Sequence, residues 1–352
     1  MARSKNLRPS SPLASSLALA GALAVLPAAL AAQEATTSTP PSTPPTFKVG
    51  TSWPESLPDD WNWGHGADTR GSDVLGIRAD AQDHIWVTNR GTVAEFDADG
   101  KLLQSWSARE DGKYTTIHGM WRDHDGNIWT TGREQNVVLE FSPTGELIKS
   151  IGIYDETRGS DDKETMGRPA EVYVDPATDE LFVADGYSNH RVVVFDAATG
   201  EYLRHWGANG EAPFDGPRGE APRLQFRVPH GIVGSRDGKI YLADRTNSRV
   251  QEFDRDGKFL QEGITREGRG GAFSVALSPD PQQEWVYVTD GTQHRVWILR
   301  RSDMEVVGQF GSQGFGPGEL GRPHNITVDS KGNIYVAEAS PGQRAQKFVM
   351  QK

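Results

Sequence analysis

A repeated strand pattern is the feature that most restricts the folds open to this chain. Six β-rich segments share one apolar pattern, and successive copies start 43 to 59 residues apart. They are HIWVTN, NIWTTG, ELFVAD, KIYLAD, WVYVTD and NIYVAE, which begin at His84, Asn127, Glu180, Lys239, Trp285 and Asn333. Asp-Gly and Asn-rich turns between such runs are typical of antiparallel hairpins. A four-stranded unit repeated at this period predicts a β-propeller.

Six copies predict six blades. They fall at about 71–106, 115–152, 168–207, 227–263, 271–311 and 321–350. The last blade has only three strands, and Thr46–Pro54 resembles the fourth strands of the other blades. We therefore predict an all-β, six-bladed propeller over residues 46–352, closed by the N-terminal strand at the outer edge of blade 6. Such pairing would remove an exposed sheet edge.

The start of the chain has the pattern of a secretory signal peptide. A basic stretch without acids precedes an Ala/Leu-rich run from Leu13 to Leu30, and small residues that suit cleavage follow. We predict a signal at 1–32, a disordered Ser/Thr/Pro linker at 33–45, and a secreted or periplasmic protein with no membrane association after cleavage. The alternative is an uncleaved anchor, because a run of about 18 residues can just cross a bilayer.

Charge and cysteine content exclude several classes of partner and site. The net charge of −11 argues against nucleic acid or an anionic membrane as a partner. The chain contains no cysteine, so disulfides are excluded. Any metal site must therefore use histidine, carboxylate or carbonyl ligands. We expect a monomer that acts on a small molecule or peptide bearing a carboxylate.

Histidine recurs at one position of the first strand in every second blade. Counting back five residues from each inter-strand turn gives, blade by blade, Leu75, His118, Ala170, His230, Phe273 and His324. First strands line the channel of a propeller, and alternate blades of a six-fold ring stand about 120° apart. We therefore predict that the three imidazoles converge and bind zinc, with a fourth position open for catalysis. The alternative is that each histidine serves only strand packing.

Arginine and tyrosine follow the second strands on the same face of the ring. Blades 1 to 4 offer, in order, Arg90, Arg133, Tyr187 and Arg245. Arginine can hold a carboxylate through two hydrogen bonds. A tyrosine close to zinc and arginine can lose its proton more easily and act as a base. The alternative is that all four are ordinary turn residues.

Four motifs carry a resemblance to a known family. They are IHGMWRD at Ile117, DGYSNHRVVVF at Asp185, VPHGIV at Val228 and RPHNITVD at Arg322. Together they resemble the peptidyl-α-hydroxyglycine α-amidating lyases, zinc lyases built as six-bladed propellers of NHL-type repeats. The resemblance covers about residues 71–350.

The resemblance implies roles for particular residues. It implies zinc on His118, His230 and His324, with Tyr187 as the catalytic tyrosine and Arg90 and Arg245 as active-site arginines. It also implies a structural calcium in the channel, held by the carbonyls of Ile77 and Met120 and by the side chain of Asn325. The family has Asp where Asn325 stands in this sequence, so Asn325 removes a negative charge from the calcium site. The family has Met where Arg322 stands.

The implied activity is cleavage of the C–N bond of a peptidyl- or N-acyl-α-hydroxyglycine to an amide and glyoxylate. Two other functions remain open from the residues alone. One is a non-catalytic secreted propeller that binds a peptide or glycan on its loop face. The other is a calcium-dependent lactonase-type propeller, which would place carboxylates and asparagine on the axis instead of three histidines.

Overall fold

Short alternating runs between turn residues form the strands, as the repeat pattern predicts. The computed structural model describes residues 43–55, 73–89, 91–108, 116–216, 225–265 and 271–351, which form 24 strands. The strands are β1 (Thr46–Gly50), β2 (Val74–Ala79), β3 (Ile85–Asn89), β4 (Thr92–Phe96), β5 (Leu102–Ser107), β6 (Ile117–Arg122), β7 (Ile128–Gly132), β8 (Val137–Phe141), β9 (Leu147–Ile151), β10 (Glu171–Asp175), β11 (Glu180–Asp185), β12 (Arg191–Asp196), β13 (Tyr202–Trp206), β14 (Pro229–Gly234), β15 (Lys239–Asp244), β16 (Arg249–Asp254), β17 (Phe259–Ile264), β18 (Ala272–Leu277), β19 (Trp285–Asp290), β20 (Arg295–Arg300), β21 (Val306–Phe310), β22 (Pro323–Val328), β23 (Ile334–Glu338) and β24 (Arg344–Gln351).

Helical structure in the described ranges is confined to single 3₁₀ turns at Arg133–Gln135, Ala208–Gly210 and Arg245–Asn247. No helix in these ranges has the length and apolar character needed to cross a membrane. The predicted signal peptide, nearly all of the predicted linker and Arg90 lie outside the described residues. The assignments made for them stay predictions.

The strands pair into six antiparallel sheets of four strands, each of which is one blade. Blades 1 to 5 are β2–β5, β6–β9, β10–β13, β14–β17 and β18–β21. Blade 6 has the order β22, β23, β24, β1, with Thr46 opposite Gln351 and Gly50 opposite Lys347. The six-bladed propeller and its closure by the N-terminal strand are therefore confirmed.

Apolar contacts between neighbouring blades hold the ring together. Six clusters of buried apolar side chains each combine residues from two consecutive blades. Between blades 6 and 1, Trp53 packs 4.9 Å from the ring of Tyr335 and 5.9 Å from that of Phe96. Because Trp53 follows β1 in the chain, this contact joins the N-terminal segment to both blades at the closure.

A bulge in the first strands decides which residues face the channel. In β2, β6, β14, β18 and β22 the pairing with the second strand shifts register near the predicted channel position. In blade 3, Ala170 donates to the Ala184 carbonyl at 2.8 Å while Glu171 also stands opposite Ala184. A bulge sets two consecutive residues against one and redirects a side chain. Two neighbouring positions in a blade can therefore reach the axis, which a regular two-residue period does not allow.

Candidate metal centre

His118, His230 and His324 meet on the channel axis. All three side chains are buried, and one ring nitrogen of each lies within 4.8 Å of the others. Their ring centroids are 4.8 to 5.2 Å apart. The convergence expected from the alternating blades is present, and nitrogens at these separations can share one ion.

The glycine that follows two of these histidines lets neighbouring first strands approach closely. A Cβ on Gly119 would overlap the Ala170 carbonyl oxygen, and a Cβ on Gly231 would stand 2.5 Å from Cα of Ser274. A side chain at either position would therefore push the next blade away. The His-Gly sequence thus sets the blade spacing that the histidine contacts require.

The residues at the equivalent position of the intervening blades orient the imidazoles. Each Nδ1 donates to the backbone carbonyl at that position of the next blade in the ring. The pairs are His118 with Ala170 at 2.8 Å, His230 with Phe273 at 2.6 Å and His324 with Leu75 at 2.9 Å. Since a carbonyl only accepts, Nδ1 carries the proton and Nε2 presents a lone pair. Metal-binding histidines are commonly held in this way.

Burial keeps the three imidazoles neutral. Burial, followed by the charge of nearby Arg245, lowers the pKa of His324 from 6.5 to about 3. Burial, followed by the neighbouring imidazole of His324, also holds the pKa values of His118 and His230 well below 6.5. Neutral imidazole is the form that binds a metal. Three neutral nitrogen donors with one open side fit zinc.

Tyr187 lies across the open side of the histidine cluster. Its hydroxyl oxygen is 3.1 Å from Nε2 of His118 and 3.0 Å from Nε2 of His230. Arg245 Nη1 donates to the same oxygen at 3.3 Å, and the Arg133 guanidinium carbon is 4.9 Å from the centre of the tyrosine ring. The structure thus brings together three of the four residues predicted from the turns after the second strands. The fourth, Arg90, lies outside the described residues.

Buried ion pairs position the turns that carry these residues. In blade 3, Asp185 binds Arg191 Nε at 2.9 Å, and both side chains are fully buried. Arg191 also donates to the carbonyls of Ser160 and Thr165 in the insert before the blade. Blades 4 and 6 have the corresponding pairs Asp244–Arg249 and Glu338–Arg344. The sequence analysis missed this feature, although an acid ending the second strand and an arginine opening the third recur in the repeats.

A second polar layer crosses the channel one residue further along the first strands. Glu171 of blade 3 accepts a hydrogen bond from Asn325 Nδ2 of blade 6 at 2.7 Å and one from Ser274 Oγ at 3.3 Å. Burial raises the pKa of Glu171 to about 7, against the opposing effects of Asn325 and Arg78. The sequence analysis missed Glu171 because it aligned only one channel position in each blade.

One of the predicted calcium ligands, Asn325, belongs to this second layer. The amide nitrogen of Asn325 donates a hydrogen bond to Glu171, and its amide oxygen accepts one from the Ile326 N–H at 2.8 Å. The half-buried Arg78 side chain has its guanidinium carbon 3.5 Å from the centre of the Trp121 ring and brings a positive charge close to Glu171. Calcium requires a cage of oxygen ligands. The Asn325 side chain does not fit that requirement, and the carbonyls of Ile77 and Met120, in β2 and β6, remain untested predictions.

Comparisons with known proteins agree with the repeat pattern. The NHL repeat model matches residues 166–195 and 226–253. The chain is 27% identical to peptidyl-glycine alpha-amidating monooxygenase B of Xenopus laevis over 315 residues, which are 80% of this chain and 34% of that protein. It is 28% identical to peptidyl-alpha-hydroxyglycine alpha-amidating lyase 1 of Drosophila melanogaster, over 72% of this chain and 47% of that protein. The chain thus spans about a third and about half of these two relatives.

A solved structure shows the same architecture at lower identity. A streptogramin B lyase superposes with a TM-score of 0.56 at 13% identity, covering 81% of this chain and 95% of that one. At this level of identity the likeness concerns the fold alone.

Proposed function

Because the chain belongs to the NHL-repeat propellers that include the peptidyl-α-hydroxyglycine α-amidating lyases, we propose that it is a zinc-dependent carbon–nitrogen lyase. Its substrate would be a peptidyl- or N-acyl-α-hydroxyglycine, or a close relative with a carboxylate. The products would be an amide and glyoxylate. The predicted signal peptide supports a secreted or periplasmic location, and we propose that the protein acts as a monomer.

The position of Tyr187 is the observation that carries this proposal. The hydroxyl oxygen of Tyr187 lies about equally far from two of the three converging histidines and accepts a hydrogen bond from Arg245. Two imidazole nitrogens with free lone pairs face the Tyr187 hydroxyl on the open side of the histidine cluster. Packing alone would not require a phenol at this position. A proton acceptor beside a metal site is the arrangement needed to activate a hydroxyl group.

Three nitrogens would hold the ion: Nε2 of His118, His230 and His324. Zinc bound there would supply a Lewis acid that makes a nearby hydroxyl proton easier to remove. The Nδ1 hydrogen bonds fix the ring orientations before any ligand enters, which reduces the reorganisation needed during reaction.

Tyr187, in its deprotonated form, would accept the proton of the substrate hydroxyl. As that oxygen forms a carbonyl, the C–N bond breaks and its electron pair stays on nitrogen. The proton held by Tyr187 then passes to this nitrogen, which leaves as a primary amide. Arg245 adjoins the hydroxyl of Tyr187 and can hold the substrate carboxylate through its remaining N–H groups. Arg90 would share this role.

Glyoxylate release from N-benzoyl-α-hydroxyglycine tests the proposal. We expect release by the zinc-loaded protein and a loss of about 10²- to 10⁴-fold in kcat for Tyr187→Phe, because a proton acceptor is removed without loss of the ring. Tyr202→Phe is the matched control, since Tyr202 lies on the fourth strand of blade 3 and bonds His205. Release that is unchanged by Tyr187→Phe would contradict the assigned role.

Metal content separates the lyase from the non-catalytic propeller. We expect about one zinc ion per chain in the purified protein, as for a site of three histidines. Protein that folds and shows no zinc after dialysis against the metal would favour a binding function for the loop face.

A further inference from the structure

Two guanidinium groups share one aromatic ring beside the histidine cluster. The Arg245 guanidinium carbon is 3.9 Å from the centre of the Phe273 ring, and that of Arg322 is 5.6 Å from the same centre. Phe273 itself packs edge-on against His230 and His324, at 5.6 and 5.8 Å between ring centres. Both arginines therefore border the open side of the proposed metal site.

Neither of these charges is neutralised by an acid in the part of the chain that the structure describes. Arg245 bonds the Tyr187 hydroxyl, and the ion pairs found among the described side chains include neither Arg245 nor Arg322. Arg133 differs, because Glu134 binds it at 2.6 Å and also binds Arg168 at 2.7 Å. Two adjacent cations without counter-ions are unfavourable until an anion binds between or beside them.

We propose that Arg245 and Arg322 form two anion-binding positions, and that the preferred substrate carries a second carboxylate on its acyl portion. This inference rests on the proposed lyase function. Arg245 takes the carboxylate next to the hydroxyl-bearing carbon, near Tyr187. Arg322, whose guanidinium also lies against the Phe273 ring, binds the second carboxylate. Stacking on the ring holds each planar guanidinium in place while its N–H groups stay available for two parallel hydrogen bonds.

Two substrates of matched length test the specificity. N-succinyl-α-hydroxyglycine and N-butyryl-α-hydroxyglycine have acyl groups of four carbons and differ in the terminal carboxylate. We expect kcat/KM for glyoxylate release to be about tenfold higher for the succinyl compound, as for a hydrogen bond to a charged group. Arg322→Met should bring the ratio of the two kcat/KM values close to one, and Arg322→Lys should restore part of it.

Arg300→Gln is the matched control. Arg300 ends β20, on the face of the ring away from the site, and binds Asp303 and Glu305. The ratio should not change in this variant. Equal kcat/KM values for the two substrates in the unaltered protein would overturn the inference. So would a ratio that Arg322→Met leaves in place.

Equilibrium binding distinguishes failure of this inference from failure of the lyase proposal. Calorimetry should show succinate binding about tenfold more tightly than butyrate, with and without zinc, and Arg322→Met should abolish the difference. If succinate binds more tightly and no glyoxylate forms from either substrate, the two anion-binding positions are supported and the proposed lyase function is wrong. If glyoxylate forms and succinate is not preferred, the lyase stands and this inference is wrong.

Discussion

Two polar layers cross the same channel and differ in what they leave unsatisfied. The upper layer consists of His118, His230 and His324. Each donates a hydrogen bond from Nδ1 to a neighbouring carbonyl and directs Nε2 toward a common point. In the lower layer, Glu171 and Asn325 bond each other across the channel. The upper layer therefore retains its capacity for a ligand, whereas the lower layer satisfies itself.

The difference shows how a propeller can use one layer of the channel to bind a ligand and the next layer to hold the blades together. A buried polar group is tolerated when it is hydrogen-bonded. The lower layer meets this condition internally and joins opposite blades. The upper layer meets it for Nδ1, but Nε2 of His118 and Nε2 of His230 share the single hydroxyl of Tyr187, so the three Nε2 atoms gain most from an ion. The following predictions, from the largest expected effect to the smallest, test this contrast.

The first prediction removes ligands from the upper layer. His118→Ala together with His230→Ala should abolish zinc binding and lower glyoxylate release about 10³-fold or more. Metal analysis and the release assay measure the two effects, and circular dichroism checks that the ring still folds. His124→Ala is the control, because His124 is exposed between Asp125 and Asp179. If the double variant still holds one zinc ion per chain, the histidines of the upper layer are not the zinc ligands.

The second prediction removes the cation beside the lower layer. Arg78 is half-buried, and the loss of solvent around its guanidinium lowers its pKa to about 10 while Glu171 opposes that effect. Arg78→Met should lower the free energy of unfolding by about 3 kcal/mol at pH 8, with about 2 kcal/mol from the lost contact with the Trp121 ring and about 1 kcal/mol from the lost counter-charge of ionised Glu171. The loss should be smaller at pH 5, where Glu171 is protonated. Urea unfolding at both pH values measures it, and a loss independent of pH would show that Arg78 does not act through Glu171.

The third prediction concerns the pH dependence of the lower layer. Because burial raises the pKa of Glu171 from 4.5 to about 7, the folded state binds this proton more tightly than the unfolded state. The contribution of Glu171 to stability should therefore be largest below pH 4.5 and be lost as the pH rises through 7. Relative to Glu171→Gln, the unaltered protein should lose about 2–3 kcal/mol of unfolding free energy between pH 5 and pH 8. A constant difference across that range would contradict a proton on Glu171.

The fourth prediction is the opposite pH dependence of the upper layer. The pKa of His324 is lowered from 6.5 to about 3, so the unfolded state binds its proton more tightly. The stability contribution is present above pH 6.5 and is lost as the pH falls. In metal-free protein, His324→Gln should remove about 1.4 kcal/mol of the destabilisation seen between pH 7.5 and pH 5.5. If the variant and the unaltered protein lose stability in parallel, His324 is not held neutral by the fold.

Much of the fold follows from the sequence because its signals are local and repeated. Six copies of one strand pattern predicted six blades, and a missing fourth strand in the last blade predicted the role of β1. A hydrophobic period and its turns act within one hairpin, so they can be read without knowing distant contacts. The alignment of His118, His230 and His324 was also readable, since the repeat fixes their common position.

The sequence alone determined the ring, its closure and the identity of three inward-facing histidines. Tertiary structure decided the rest: that carbonyls of Leu75, Ala170 and Phe273 orient those histidines, and that Glu171 accepts a hydrogen bond from Asn325 in the layer next to them. The physical reason is that these contacts join different blades, from 43 to 249 residues apart in the chain. A bulge, which no two-residue alternation predicts, brings consecutive residues to the same axis.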